Sequence, residues 1–204
     1  MTLAPDRRAF LLMAGAAALP LSPARAAEDP RLVDMMIGDA SAPVEIIEYA
    51  SFTCPHCAAF HNEKLGKLKT AYIDTGKARL ILREVYFDRF GLWAAMVARC
   101  EGAKRYFAIV DELFRTQREW SRGDNDAQIA GNLRKIGLLA NIPEDRLKAC
   151  MSDQAFANSL VDIFRRHAEA DRVESTPTFF INGEKVQGNQ PYEVFVNAIE
   201  ASLK

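Results

Sequence analysis

Cysteine is scarce in these 204 residues: there are four, two of them a close pair and two far from it and from each other. That is too few for a disulfide-dense scaffold. Charge of one sign is missing as well. Lys and Arg total 26 against 27 Asp and Glu, for a formal net charge of -1. No basic patch and no interleaving of aromatic with basic residues appears, which argues against a nucleic-acid partner. There is no internal repeat, no low-complexity tract and no flexible linker. The longest apolar run, Ala9 to Leu21, is too short to cross a bilayer comfortably. What remains is a chain with 49% hydrophobic and 26% charged residues, enough for a full core and ordinary in charge. Its length fits one domain, or one domain carrying an insertion.

Arg7-Arg8 opens the apolar run, and Pro20, Pro23 and the small-residue pattern Ala24-Arg25-Ala26 close it. This is the layout of a bacterial secretory signal, so residues 1–26 are predicted to be a signal peptide cut after Ala26. The competing reading is an N-terminal membrane anchor. Arg7-Arg8-Ala9-Phe10-Leu11 also resembles a twin-arginine signal, so Sec and twin-arginine export both stay open. Cleavage would remove three arginines and one aspartate and leave a mildly acidic chain in the periplasm, where disulfides persist.

The rest of the chain is organised around Phe52-Thr53-Cys54-Pro55-His56-Cys57. An apolar run, Val44 to Ala50, precedes it and a helical pattern follows it. The dithiol therefore falls at the join between a strand and a helix N-terminus. The first N–H groups of a helix lack intrahelical acceptors, and the helix dipole places partial positive charge there. A thiolate at that point is stabilised, and the thiolate is the form of cysteine that attacks disulfides.

Val44 to Tyr49 predicts a buried central strand, and Arg79 to Phe87 a second one. The helix between them starts at Pro55, shows the stripe Phe60, Leu65, Leu68, Tyr72, and stops at Gly76. Strand, helix, strand at this spacing is a βαβ unit with a parallel pair. Ala27 to Ala42 is a lead-in that contributes at most a short edge element. From Leu92 to His167 the period is helical, and these segments are read as an insertion packed on the sheet. Strand signals return at Thr178 to Ile181 and Glu184 to Val186, joined by Asn182-Gly183, the strongest short hairpin signal. Pro191 opens a final amphipathic helix holding Tyr192, Phe195, Val196 and Ile199.

A βα unit carrying CxxC, a helical block, then a ββα unit is the layout of a thioredoxin fold with a helical insertion. Cys54-Pro55-His56-Cys57, Ser175-Thr176-Pro177-Thr178-Phe179-Phe180-Ile181-Asn182-Gly183 and the helical block between them resemble the DsbA family of exported thiol:disulfide oxidoreductases. The resemblance runs over about residues 40–204. It implies an α/β thioredoxin fold, with the sheet domain at 27–88 and 174–204 and an inserted helical domain at 89–173. Cys54 is the expected nucleophile, exposed at the helix mouth, and Cys57 the resolving thiol a turn further in. Pro55 sits in the first turn, and His56, through its imidazolium or its N–H, is expected to stabilise the Cys54 thiolate. In the resembling family the proline matching Pro177 is cis and lies against the CxxC. The residue before it, here Thr176, offers its backbone to an extended substrate segment. Thr176 departs from the valine of the best-known enterobacterial oxidases. Glu48 matches the buried acid under the CxxC of thioredoxin-fold proteins and would pass protons to and from Cys57.

Cys100 and Cys150 lie on separate predicted helices. In an oxidising compartment a structural disulfide between them is the simplest outcome, and two buried unpaired thiols is the competing one. His61, His167, Trp93 and Trp120 are read as structural. The function implied is donation of the Cys54–Cys57 disulfide to unfolded or reduced exported proteins by a monomer. No organic cofactor is needed, and a membrane quinone-linked partner of DsbB type serves as reoxidant. Two alternatives remain. One is an isomerase or reductase using the same site at a more reducing potential. The other is a metal-binding or chaperone-like module holding zinc or copper through Cys54, Cys57 and His61.

Overall fold

The computed structural model describes residues 29–204; the predicted signal peptide lies outside the described residues. Five strands form one mixed sheet: β1 (Met35–Gly38), β2 (Val44–Ala50), β3 (Ala78–Glu84), β4 (Thr178–Ile181) and β5 (Glu184–Gln187), in the order β1-β3-β2-β4-β5. β2 and β3 are parallel, with Val44 opposite Ala78 and Ala50 opposite Glu84. The other pairings are antiparallel. The lead-in supplies β1, on the sheet edge. The second strand ends at Glu84 rather than at Phe87, because its partner β2 ends opposite Glu84. Beyond it only the Val85 N–H reaches back, to the Ala50 carbonyl, and Phe87 is left exposed.

Side chains alternate across a sheet, so one parity of β2 and β3 faces one side. Val44, Ile46, Glu48 and Ala50, with Ala78, Leu80, Leu82 and Glu84, make up that buried side. The two glutamates are the polar exceptions, and both are paired. At one end of this face Val44, Ile46, Leu80, Phe179 and Ile181 pack against Phe60, Leu68 and Tyr72, and against Phe195 and Ile199 of the C-terminal helix. At the other end Ala50, Phe52 and Leu82 enter a second cluster with Met96, Val97, Tyr106, Ile109, Leu113 and Leu160. The helical segment thus shares its core with the sheet.

The hairpin turn has positive φ at both Asn182 (43°) and Gly183 (87°), the signature of the turn type that matches strand twist. The Asn182 side chain accepts from the Glu45 N–H at 2.8 Å and donates to the Pro43 carbonyl at 3.2 Å, which fastens the turn to the start of β2.

The helix after the CxxC is not uniform. It is α-helical over Pro55–Phe60 (α1) and Gly66–Leu68 (α2), and π-helical over His61–Leu65 and Lys69–Ile73. Phe60, Leu65, Leu68 and Tyr72 are all buried, yet the step from Phe60 to Leu65 is five residues, wider than an α-helix allows on one face. The wider turn absorbs it. The remaining helices are α3 (Arg89–Ala98), α4 (Ala103–Arg115), α5 (Gln117–Trp120), α6 (Asp126–Leu139), α7 (Glu144–Ser152), α8 (Gln154–Ala170) and α9 (Tyr192–Ser202). Asp88, Asn125 and Asp153 cap α3, α6 and α8 with side-chain oxygens, each such cap being worth about 1 kcal/mol. Cys100, in the turn just past α3, and Cys150, in α7, are joined by a disulfide.

Arg99 anchors the insertion to β3. Its guanidinium donates to both carboxylate oxygens of Glu84, at 2.6 and 2.7 Å, and to the carbonyls of Arg31 and Val33. Tyr106 adds a hydroxyl bond to Glu84 at 2.6 Å.

Candidate active site

Cys54 is the N-cap residue of α1, with extended backbone (φ -79°, ψ 119°), and Pro55 fills the first helical position, where a missing N–H costs nothing. Cys54 is half-buried rather than freely exposed, while Pro55 and His56 are exposed and Cys57 is fully buried. The two sulfurs are far apart in acidity. The Cys54 thiol is lowered from 9.0 to about 5. The Cys57 thiol is the largest cause, through its hydrogen bond to the Cys54 sulfur, and the Thr176 hydroxyl and the backbone N–H groups of Cys57 and His56 act in the same direction against partial burial. The Cys57 thiol moves the other way, driven up by burial, by its bond to Cys54 and by the negative charge of Glu48. From position 56 the backbone N–H is among the groups that lower Cys54, and the side chain is exposed.

The Thr176–Pro177 peptide is cis and lies beside this pair. As a thiol, Cys54 donates to the Thr176 carbonyl oxygen, with the sulfur 3.4 Å away. Pro177 itself is buried, and its carbonyl accepts from the Gly188 N–H at 2.8 Å. Glu48, in the middle of β2 opposite Leu82 and Phe179, is 0% exposed. His61 Nε2 sits 3.1 Å from each of its carboxylate oxygens. The structure therefore brings Cys54, Cys57, Pro55, Thr176, Pro177 and Glu48 to one place, and leaves the His56 ring at its rim.

Two neighbours were not singled out in the sequence. Gln117, buried in α5, donates from Nε2 to the Phe52 carbonyl at 2.8 Å and to the Cys54 carbonyl at 2.9 Å. Asp88 caps α3 with Oδ1, bonded to the N–H groups of Phe90 and Gly91, while its Oδ2 accepts from the Thr53 hydroxyl at 2.6 Å. Both fasten the CxxC loop to the insertion. Asp88 ahead of a helical run is a readable cap signal; Gln117 carries none. His61, read from the sequence as structural or, in the alternative, as a metal ligand with the two cysteines, has Nε2 3.1 Å from both Glu48 carboxylate oxygens. Among the described residues no group of three or more His, Cys, Asp or Glu is arranged to hold a metal ion.

A sheet of this order, with a dithiol at the mouth of the first crossover helix and a cis-proline loop against it, defines a thioredoxin-fold protein of the dithiol type. The chain belongs to the thioredoxin family, whose model, described as Thioredoxin, matches residues 31–201. Within it the likeness is to DsbA proteins. The crystal structure of Wolbachia pipientis alpha-DsbA1 superposes with a TM-score of 0.75 at 32% identity, covering 83% of this chain and 90% of that one. A Rickettsia bellii relative, provisionally named a protein-disulfide oxidoreductase, is 30% identical over 171 residues. That match takes in 83% of this chain but spans 63% of the relative's own length. Disulfide bond formation protein D of Bacillus subtilis is 24% identical over 173 residues, covering 83% of this chain and 77% of that protein.

Proposed function

We propose that the chain is an exported protein-disulfide oxidase that donates a Cys54–Cys57 disulfide to reduced proteins in the periplasm. The observation that carries this reading is the split between the two sulfurs: Cys54 lowered to about 5, Cys57 pushed up. A substrate thiolate attacks Cys54, the sulfur that makes the better leaving group when the mixed disulfide is later resolved. A second substrate thiol attacks its own partner sulfur in that mixed disulfide and releases Cys54 as a stable anion. The substrate leaves with a new disulfide and two fewer electrons, which the enzyme holds as the Cys54 thiolate and the Cys57 thiol. Because the anion is stabilised only in the reduced enzyme, the disulfide is a strong oxidant. The Thr176 carbonyl, 3.4 Å from the Cys54 sulfur, supports a role for this backbone in pairing with an extended substrate segment.

Regeneration needs an electron acceptor, which we assign to a membrane quinone-linked protein of DsbB type. No helix among the described residues is long and apolar enough to cross a membrane. The test is equilibration against glutathione buffers followed by thiol trapping of wild type and Cys54→Ala. A potential well above that of glutathione is expected. A potential near that of thioredoxins, about -270 mV, would assign the site to a reductase instead.

A further inference from the structure

The inserted helices leave a groove that the disulfide chemistry does not use. It measures about 400 Å³ and lies between α3, α6 and α7. Ligand sites commonly fall between about 300 and 1,000 Å³. Trp93 of α3 and Met151 of α7 line it with large apolar side chains that are only partly buried against the core. Ala127, Ala130 and Gly131 of α6 line it with small ones, which leaves the space. A Cβ built on Gly131 would meet nothing within 4 Å. Both charged residues that line it, Arg134 and Lys148, are basic. Lys148 is exposed and has no ion pair or side-chain hydrogen bond among the described residues, and Arg134 meets only the exposed Glu144, at 3.7 Å. Exposed pairs of that kind hold weakly, so a ligand carboxylate can compete for the guanidinium. An apolar trough with a cationic rim complements an apolar side chain that has an acidic one beside it.

The groove begins beside the dithiol. Asp88, the N-cap of α3, accepts from the Thr53 hydroxyl next to Cys54, and Arg89 reaches Asp126, the first residue of α6, at 2.5 Å. The first turns of α3 and α6 therefore stand together at the CxxC loop, and Ala127 marks the near end of the groove. Apolar surface leads into it: Phe87 is exposed, and Phe90 is partly buried and meets Trp93 edge-on at 5.5 Å. We infer that this groove is a second docking point for reduced substrate proteins. It takes an apolar side chain, with an acidic residue beside it, from the segment that flanks the reacting cysteine. The inference rests on the oxidase reading above and names the sequences that such an oxidase prefers. Trp93 lies five residues past Asp88, which is about 7.5 Å along the helix axis. With the loop added, the anchor stands roughly 10–15 Å from the reacting sulfur, and at ~3.3 Å per extended residue it falls about three to five residues from the substrate cysteine.

The test uses the oxidised full chain and short peptides carrying one cysteine. In the reference peptides a leucine stands about four residues from the cysteine, on either side in separate peptides, with a glutamate next to it. Companions replace the leucine by alanine or the glutamate by lysine. The peptide thiolate bonds to the Cys54 sulfur as the Cys54–Cys57 bond breaks, and Cys57 takes up a proton. Initial rates are read by acid quench and alkylation, corrected for thiolate fraction, and divided by the glutathione rate on the same protein. That ratio removes any change at the dithiol itself. In one of the two chain orders the leucine peptide is expected to exceed its alanine companion roughly tenfold. The glutamate peptide should exceed its lysine companion about threefold at low salt, a gain that shrinks as salt rises. Gly131→Leu fills the groove where a Cβ has free space and should erase the leucine preference. Lys148→Glu should reverse the charge preference and keep the leucine preference. Wild-type protein without either preference, or preferences that survive both substitutions, overturn the inference. A dimer in sedimentation that Gly131→Leu breaks would give the groove to a second copy and overturn it too. If Gly131→Leu fails to fold, the charge reversal at the exposed Lys148 decides. The potential against glutathione judges the parent reading separately. An oxidising potential without peptide selectivity sinks only the docking groove, and a reducing potential with selectivity sinks only the oxidase.

Discussion

Bringing the reduced protein from about pH 8 down to about pH 4 takes Cys54 through the loss of its charge. The sulfur is lowered from 9.0 to about 5. At about pH 7 an ordinary thiol is protonated, so only the two units between about 5 and 7 count, a ceiling of about 2.7 kcal/mol. Solvent screening at a half-buried sulfur brings this to roughly 2 kcal/mol. A depressed pKa stabilises the state that holds the anion: the contribution is present above the unfolded-state value, and is lost as pH falls through about 5. The disulfide form has no such charge, so the effect appears as a difference between reduced and oxidised protein. For a two-electron couple, 2 kcal/mol is about 40 mV toward the oxidising side. The proton count gives a sharper signature. Below about pH 5 reduction takes up two protons for two electrons, and the potential falls about 60 mV per pH unit. Above it Cys54 stays ionised, one proton is taken up, and the slope halves to about 30 mV. Equilibration with glutathione across this range reads the slope, and the ultraviolet absorbance of the thiolate, with Cys54→Ser as blank, reads the titration directly. A slope that stays near 60 mV per unit up to about pH 8 would refute the reasoning.

Other substitutions test the supports of the site. Gln117→Ala removes both bonds to the Phe52 and Cys54 carbonyls; a loss of about 1–3 kcal/mol in denaturant unfolding is expected, with a measurable rise in the Cys54 titration midpoint. Arg99→Met leaves the Glu84 carboxylate buried without its counter-charge, and should cost about 3–5 kcal/mol and show as a lower urea midpoint. The double change Glu84→Gln with Arg99→Met should recover part of it. Cys100→Ala with Cys150→Ala opens a loop with a sequence separation of 50, worth roughly 4 kcal/mol in the chain-entropy model. Calorimetry should show a lower melting temperature with the Cys54 titration unchanged.

Much of the architecture was legible because local chemistry and the wider fold agree. Val44 to Ala50 is apolar enough to be central, and Asn182-Gly183 can supply two positive φ values, so strand and hairpin fell where their residues placed them. The thiol pair announced itself through its place between a strand and a helix. Other features depend on partners distant in sequence. Val85 to Phe87 has strand character but no strand to pair with, since β2 stops at Ala50. The π turns follow from fitting Phe60 and Leu65 into one core, which periodicity alone reads as a plain α-helix. Gln117 lies more than sixty residues from the carbonyls it holds, and nothing around it in the chain marks it. The partner of His61 could not be read from the chain around it, because Glu48 is on another element.

Cys54 begins the helix it serves, and its thiol makes no side-chain cap of its own there. The N–H groups that act on the ionised sulfur are those a capping oxygen would otherwise take. Oxidation withdraws that negative charge from the helix start. A Cys54–Cys57 bond would tie that same first turn covalently, so oxidation exchanges an electrostatic anchor of the helix start for a covalent one.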